Sequence, residues 1–194
     1  MEFDQIREGG VGLRYGFVFG GDRVAFIKVG LGGDIFGDAN KYLQIAHLLK
    51  KKYGFGAVVA SNPEGEKSHR EEDLAALAAF VREGGLSSPA YFFFGHSNGG
   101  IKGLELAAAG VPFRRMVLVN MPLMINFHKT KQYLSAIPHA EVALVCGEGD
   151  PSYPYLPFLE GKYAHLEVLR VPAADHNFRG MLPAFVALAE LLAE

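Results

Sequence analysis

The feature that most restricts the fold is a repeated exchange between two kinds of segment. Short, nearly unbroken apolar runs (AVVAS at 57–61, AYFFFG at 90–95, RRMVLVN at 114–120, EVALVCG at 141–147, HLEVLRV at 165–171) alternate with stretches of helical periodicity. Residues 38–54 carry Tyr42, Ile45, Leu48 and Leu49 at helical spacing, with Asp38 as a candidate N-cap and Gly54 as the stop. A second helix is predicted over 70–85, closed by Gly84-Gly85, a third over 100–109, a short fourth over 127–137, and a last one from about Met181. Strands that read as continuous Val/Ile/Leu/Phe runs are buried on both faces, which requires helices on each side of the sheet. The fold class is therefore α/β, a mainly parallel sheet with helices on both faces and right-handed crossovers. Two β-rich stretches at 11–19 and 23–30 precede this alternation. The turn residues Gly20-Gly21-Asp22 between them predict an N-terminal hairpin.

No repeat, linker or low-complexity segment interrupts the pattern, so residues 1–194 read as a single domain, a length suited to one substantial core. The formal net charge of −2 gives no field that would draw nucleic acid or an anionic membrane surface. No run approaches the roughly 18 apolar residues of a membrane span. The opening MEFDQIREGG lacks the apolar segment of a signal peptide, and the expectation is a cytoplasmic protein. Cys146 is the one cysteine, which excludes an internal disulfide, and no Cys/His cluster has the spacing of a metal site. Inside a predicted strand, Cys146 reads as a small buried hydrophobe. The oligomeric state is open.

In an open α/β sheet, ligands bind where the strands end at their carboxyl edges. Three of the predicted strands end on reactive residue types. After AYFFFG comes Gly95-His96-Ser97-Asn98-Gly99, a G-x-S-x-G pattern in which a strand gives way to a helix within a few residues. After EVALVCG come Glu148 and Asp150, and after HLEVLRV the segment PAADHNF presents His176. Serine, acid and histidine in that chain order form one of the recurring arrangements of nucleophilic catalysis. A serine hydroxyl is a weak nucleophile until a base removes its proton, and imidazole exchanges protons near neutral pH.

On these residues the chain resembles the α/β-hydrolase superfamily, from about residue 11 to its end. The match rests on Gly95-His96-Ser97-Asn98-Gly99, on Gly147-Glu148-Gly149-Asp150 and on Asp175-His176-Asn177-Phe178. The resemblance implies Ser97 as nucleophile, His176 as general base and Asp150 as the acid that orients it. Glu148 competes for that role but sits closer to the strand, while Asp150 matches the family position. Asp175, adjacent to His176, reads as loop structure. Donors for the developing oxyanion are expected from the backbone N–H groups of Asn98, which follows the serine, and of Leu31 in the loop VGLGGDIFG. That loop departs from many family members, which have His-Gly where this chain has Val29-Gly30.

The implied activity is a serine hydrolase acting on a small ester-like substrate, with no metal and no organic cofactor. A thioesterase or acyltransferase on the same three residues, and a non-catalytic relative that only binds a small ligand, are the alternatives. A nucleotide cofactor is not expected: Gly30 and Gly32 match the start of G-x-G-x-x-G, but Ile35 stands where its third glycine belongs. His96 is expected to pack beneath the serine turn. His47, His69, His128, His139 and His165 read as helix-face, loop or strand-start positions. Segments 120–127 and 150–158 are either pocket lining or core packing. Between Asn120 and Glu141 there is room for one short helix only, so a minimal cap or none is expected, and with it a shallow site.

Overall fold

The run Phe92-Phe93-Phe94 shows how the chain builds two cores from one sheet. Phe93 faces one side, while Phe92 and Phe94 face the other, as the period-two alternation of a strand requires. These residues belong to the strand Ala90–His96 near the middle of an eight-stranded sheet. The computed structural model describes residues 1–10, 12–65 and 69–194.

In chain order the strands are β1 (Gln5–Glu8), β2 (Arg14–Val18), β3 (Arg23–Lys28), β4 (Gly56–Ala60), β5 (Ala90–His96), β6 (Phe113–Val119), β7 (Glu141–Gly147) and β8 (Leu166–Val171). The helices are α1 (Lys41–Tyr53), α2 (Arg70–Glu83), α3 (Asn98–Ala108), α4 (Leu123–Ala136) and α5 (Leu182–Ala187), the last continued by a 3-10 turn over Leu188–Ala193. The spatial order is β1-β2-β4-β3-β5-β6-β7-β8, with β1–β2 and β2–β4 antiparallel and every other pair parallel. One core packs β residues such as Phe26 and Phe93 against Phe80 of α2, Leu104 of α3 and Leu134 of α4. The other packs Ile27, Phe94 and Val119 against Ile45 and Leu49 of α1 and Phe185 of α5.

The predicted hairpin of 11–19 with 23–30 does not form. β4 lies between β2 and β3, and the true antiparallel pair at the N-terminus is β1 with β2, in register Gln5 to Phe17. Val11, the first residue of the predicted strand, lies outside the described residues. The link Phe19–Asp22 strides over the start of β4 instead, where the Gly21 N–H donates to the Gly54 carbonyl at 2.8 Å. A short glycine link can close a hairpin or step over one neighbouring strand, a gap of about twice the 4.8 Å strand spacing. Local residues do not distinguish the two. Asp38 is not an N-cap either: it sits in a 3-10 turn over Asp38–Asn40, and α1 starts after Asn40 without a side-chain cap. α4 begins at Leu123, four residues before its predicted start, and it is the one helix between β6 and β7.

Among the described residues, no helix is long and apolar enough to cross a membrane.

At the end of β3, Lys28 points into the core beneath α2 and α3. Its Nζ lies 2.8 Å from Asp73 Oδ1, and the Tyr15 hydroxyl donates to the same oxygen at 3.0 Å. Burial pushes the Lys28 pKa down and the Asp73 pKa up, while each partner's charge opposes the shift in the other. Removing one member of such a pair leaves a buried charge without compensation. Lys28→Met is expected to lower unfolding stability by roughly 3–5 kcal/mol in urea titration, and the double change Lys28→Met with Asp73→Leu to restore most of it. A double variant no more stable than the single one would mean that the pair is not what the site demands.

Candidate active site

Ser97 sits between the last residue of β5 and the first of α3, with φ 55° and ψ −128°. Non-glycine residues in this region carry strain of about 1–3 kcal/mol and persist only where their surroundings over-determine them. Here the Ser97 N–H donates to the Val119 carbonyl at 2.8 Å, and the Ser97 carbonyl accepts from the Gly100 N–H at 3.0 Å. The two glycines of the pattern are steric requirements. A Cβ at Gly95 would lie 2.7 Å from the Gly100 backbone, and one at Gly99 would lie 2.2 Å from the Lys28 carbonyl oxygen. The sharp turn leaves the Ser97 side chain at the carboxyl edge of the sheet.

His176 arrives from the loop between β8 and α5, and Asp150 from the loop after β7. The Ser97 hydroxyl donates to His176 Nε2 at 2.9 Å, and His176 Nδ1 lies 2.5 Å from Asp150 Oδ2. Asp150 is buried, and its Oδ1 accepts from the Ser152 N–H at 2.7 Å. Burial alone would raise the Asp150 pKa, but the hydrogen bonds from His176 and Ser152 outweigh it and hold the carboxyl below its ordinary value. An ionised carboxylate can only accept, so the proton belongs on Nδ1, and Nε2 is left with a lone pair for the serine hydroxyl. Such a serine can lose its proton as it attacks an electrophile.

The rival acid is elsewhere. Glu148 is exposed and accepts from the Ala173 N–H at 3.3 Å, away from His176. Asp175 shapes its own loop, accepting from the N–H groups of Asn177 (3.0 Å) and Arg179 (2.9 Å). Cys146 is buried in β7, where burial first and the charge of Asp150 second push its thiol up to about 12.

The loop after β3 passes beside the serine: a Cβ at Gly30 would lie 3.3 Å from Ser97 Cβ. Leu31 follows, its side chain 57% exposed, lining the same groove as Ser97. Among the described residues, neither the Leu31 nor the Asn98 backbone N–H has an acceptor. Asn62, just after β4, braces this loop. Its side-chain amide donates to the Val29 carbonyl and to Asn98 Oδ1, both at 3.1 Å, and the Asn62 backbone carbonyl accepts from the Gly32 N–H at 2.7 Å.

A buried polar network beneath the site went unread in the sequence. The His176 carbonyl accepts from His96 Nε2 at 2.9 Å and from Asn120 Nδ2 at 2.9 Å, and Asn120 also donates to the Asp175 carbonyl at 3.0 Å. Asn120 Oδ1 accepts from the Gly147 N–H at 2.8 Å, which ties the ends of β6 and β7 to the histidine loop. Asn120 adopts φ 48°, a conformation that asparagine tolerates better than most residues. A polar residue closing the buried run MVLVN was the available signal. His96 packs beneath the turn as expected, and the Tyr42 hydroxyl lies 3.0 Å from its Nδ1. Burial and then the nearby charge of Lys41 push the His96 pKa down to about 3, so it is a neutral structural donor.

Two grooves meet at His176. One, of about 240 Å³, is lined by Pro122, Met124, Ile125, Pro151 and Ser152, and is apolar. The other, of about 370 Å³, runs from Ser97 past Leu31 and Gly37 to Lys41. Segments 120–127 and 150–158 thus divide: Met124 and Ile125 face the groove and solvent, whereas Met121, Leu123 and Leu156 are core. A larger concavity of about 500 Å³ between α2, α3 and α4 lies away from these residues, and two of its three cations, Lys102 and Lys129, are paired with Glu105.

No protein-family model and no curated protein matches the chain in sequence. Solved structures do match it in shape. An α/β serine hydrolase homologue from Coxiella burnetii is 17% identical with a TM-score of 0.70, covering 97% of both chains. Dienelactone hydrolase from Anabaena variabilis is 19% identical with a TM-score of 0.67, over 99% of this chain and 96% of that one. A lidless α/β serine hydrolase from Xanthomonas campestris is 20% identical with a TM-score of 0.65, over 96% and 91%. With its sheet order, its serine turn between β5 and α3, and these neighbours along nearly its whole length, the chain has the α/β-hydrolase fold.

Proposed function

We propose that the chain is a serine hydrolase that cleaves a small carboxylic ester through an acyl-enzyme. The observation that carries this reading is the continuous hydrogen-bonded relay from Ser97 through His176 to buried Asp150, opening onto a groove. In this reading Ser97 Oγ attacks the ester carbonyl while His176 Nε2 takes its proton. Asp150 holds the Nδ1–H tautomer and stabilises the imidazolium that forms. The oxyanion is met by the unengaged N–H groups of Asn98 and Leu31. His176 then protonates the leaving alkoxide, and a water, deprotonated by the same nitrogen, releases the acid and regenerates Ser97. Apart from the ester and water, every group this chemistry needs is a side chain or amide of the chain itself, so this mechanism calls for no metal or organic cofactor. The names of the structural neighbours, serine hydrolases and a dienelactone hydrolase among them, support the same class.

Ser97→Ala is expected to remove fluorophosphonate labelling and to lower kcat on the order of 10⁶-fold, with an unchanged melting curve. Asp150→Asn is expected to lower kcat about 10⁴-fold, as the same change does in the serine-protease triad, and Glu148→Gln to cost far less. The reverse ranking would move the acid to Glu148.

The substrate preference follows from the groove. Between β6 and β7 the chain has α4 and no further helix to close over a long acyl chain. Each buried methylene adds about 0.8 kcal/mol of binding, so a deep tunnel would make kcat/KM climb with acyl length. In a groove of about 240 Å³ that gain stops early. A p-nitrophenyl ester series should peak between acetyl and hexanoyl; a maximum at dodecanoyl would contradict the open-site reading.

A further inference from the structure

Lys41 is a largely buried charge that meets aromatic rings but no anion. It is the first residue of α1, only 7% exposed, and its Nζ rests 5.2 Å from the Tyr42 ring centroid and 4.7 Å from that of Phe185. Of the two buried lysines among the described residues, Lys28 has its carboxylate at 2.8 Å. Lys41 has no hydrogen-bond or ion-pair partner among the described residues, and the carboxylates of Asp38 and Asp175 act on it only at longer range. Burying an ammonium without a partner is costly. One further feature makes the placement worse: the N-terminus of α1 is the positive end of the helix dipole. Cation–π attraction to the Tyr42 and Phe185 rings offsets part of that cost, but no anion completes the site.

The groove supplies the missing reason. Lys41 lines the same cavity of about 370 Å³ as Ser97, Leu31 and His176; Asp38 lines it too but makes no ion pair with Lys41, and Tyr42, the next residue, reaches His96, the neighbour of the serine. The opposite groove, past His176, is apolar. A substrate spanning both would place a charged end over Lys41 and a short apolar end beside Met124 and Ile125.

We propose that Lys41 recognises a carboxylate carried by the substrate, so that the preferred substrates are small anionic esters with a short apolar group on the other side of the scissile bond. The proposal rests on Ser97 acting as the nucleophile.

The test is a set of matched esters assayed for kcat/KM at neutral pH. Phenyl hydrogen glutarate against phenyl valerate places the charge on the acyl part; meta-acetoxybenzoate against its methyl ester places it on the leaving group. In one of the two pairs the anionic member should exceed the neutral one by about tenfold or more, the scale of one charge-assisted hydrogen bond. The pair that shows it identifies which part of the substrate lies over Lys41. Lys41→Met should bring that ratio to about one, and Lys41→Arg should keep most of it. Neutral esters turned over with no preference in either pair would overturn the assignment while leaving the hydrolase reading intact, as would a preference that survives Lys41→Met. No turnover of any of the four esters, with no fluorophosphonate labelling, would overturn both. If neither variant folds, Lys41→Gln takes the place of Lys41→Met, with the same outcomes.

Discussion

The N-terminus of α3 is pressed against the ends of β3 and β5 so closely that positions 95 and 99 have no room for a side chain. The rest of the site depends on that approach. It forces the chain to turn from strand to helix in a single residue, which leaves Ser97 with φ 55° and its hydroxyl facing outward. It also brings the loop at Gly30 beside Ser97, where a Cβ on the glycine would lie 3.3 Å from the serine Cβ. A looser junction would relieve the strain at Ser97. The glycines are thus part of the geometry of Ser97 rather than incidental turn residues.

The same junction must meet a histidine delivered by a distant loop, and the polar network underneath performs that alignment. The His176 carbonyl receives two hydrogen bonds, from His96 and from Asn120, and Asn120 is itself held by the Gly147 N–H at the end of β7. Fully satisfied buried networks of this kind specify one arrangement, because each broken bond strands a desolvated partner. The neutrality of His96 matters here, since a charged imidazole packed beside Lys41 would repel it. The loop carrying His176 is therefore fixed at its backbone, while Asp150 fixes the ring.

Much of this was legible in the sequence where the controlling interactions are local. β7 falls on Glu141–Gly147 as read from its apolar run, and the serine turn, the acid and the histidine all lie at strand ends as the pattern required. What escaped was set by partners far along the chain. A glycine link after β2 has the same composition whether it closes a hairpin or crosses over β4, and only sheet order decides. β1 was hidden because its residues alternate between half-buried and exposed with charged side chains, the mark of an edge strand. Asn120 gave one faint signal, a polar residue at the end of an apolar run, and its three side-chain partners come from the end of β7 and the loop that carries His176. Asp150 is preferred over Glu148 by geometry: the turn at Gly149, whose N–H donates to the Ala174 carbonyl at 2.9 Å, brings the later residue back toward His176.

The central claim is that Ser97 carries the acyl group between two half-reactions. Rapid-quench mass spectrometry with p-nitrophenyl acetate reads this directly. The account predicts one acetyl group per chain during turnover, on the peptide that contains Ser97, at a level that decays once the ester is consumed. Turnover with no covalent adduct, or an acetyl group that forms and decays at the turnover rate on any other residue, would contradict it.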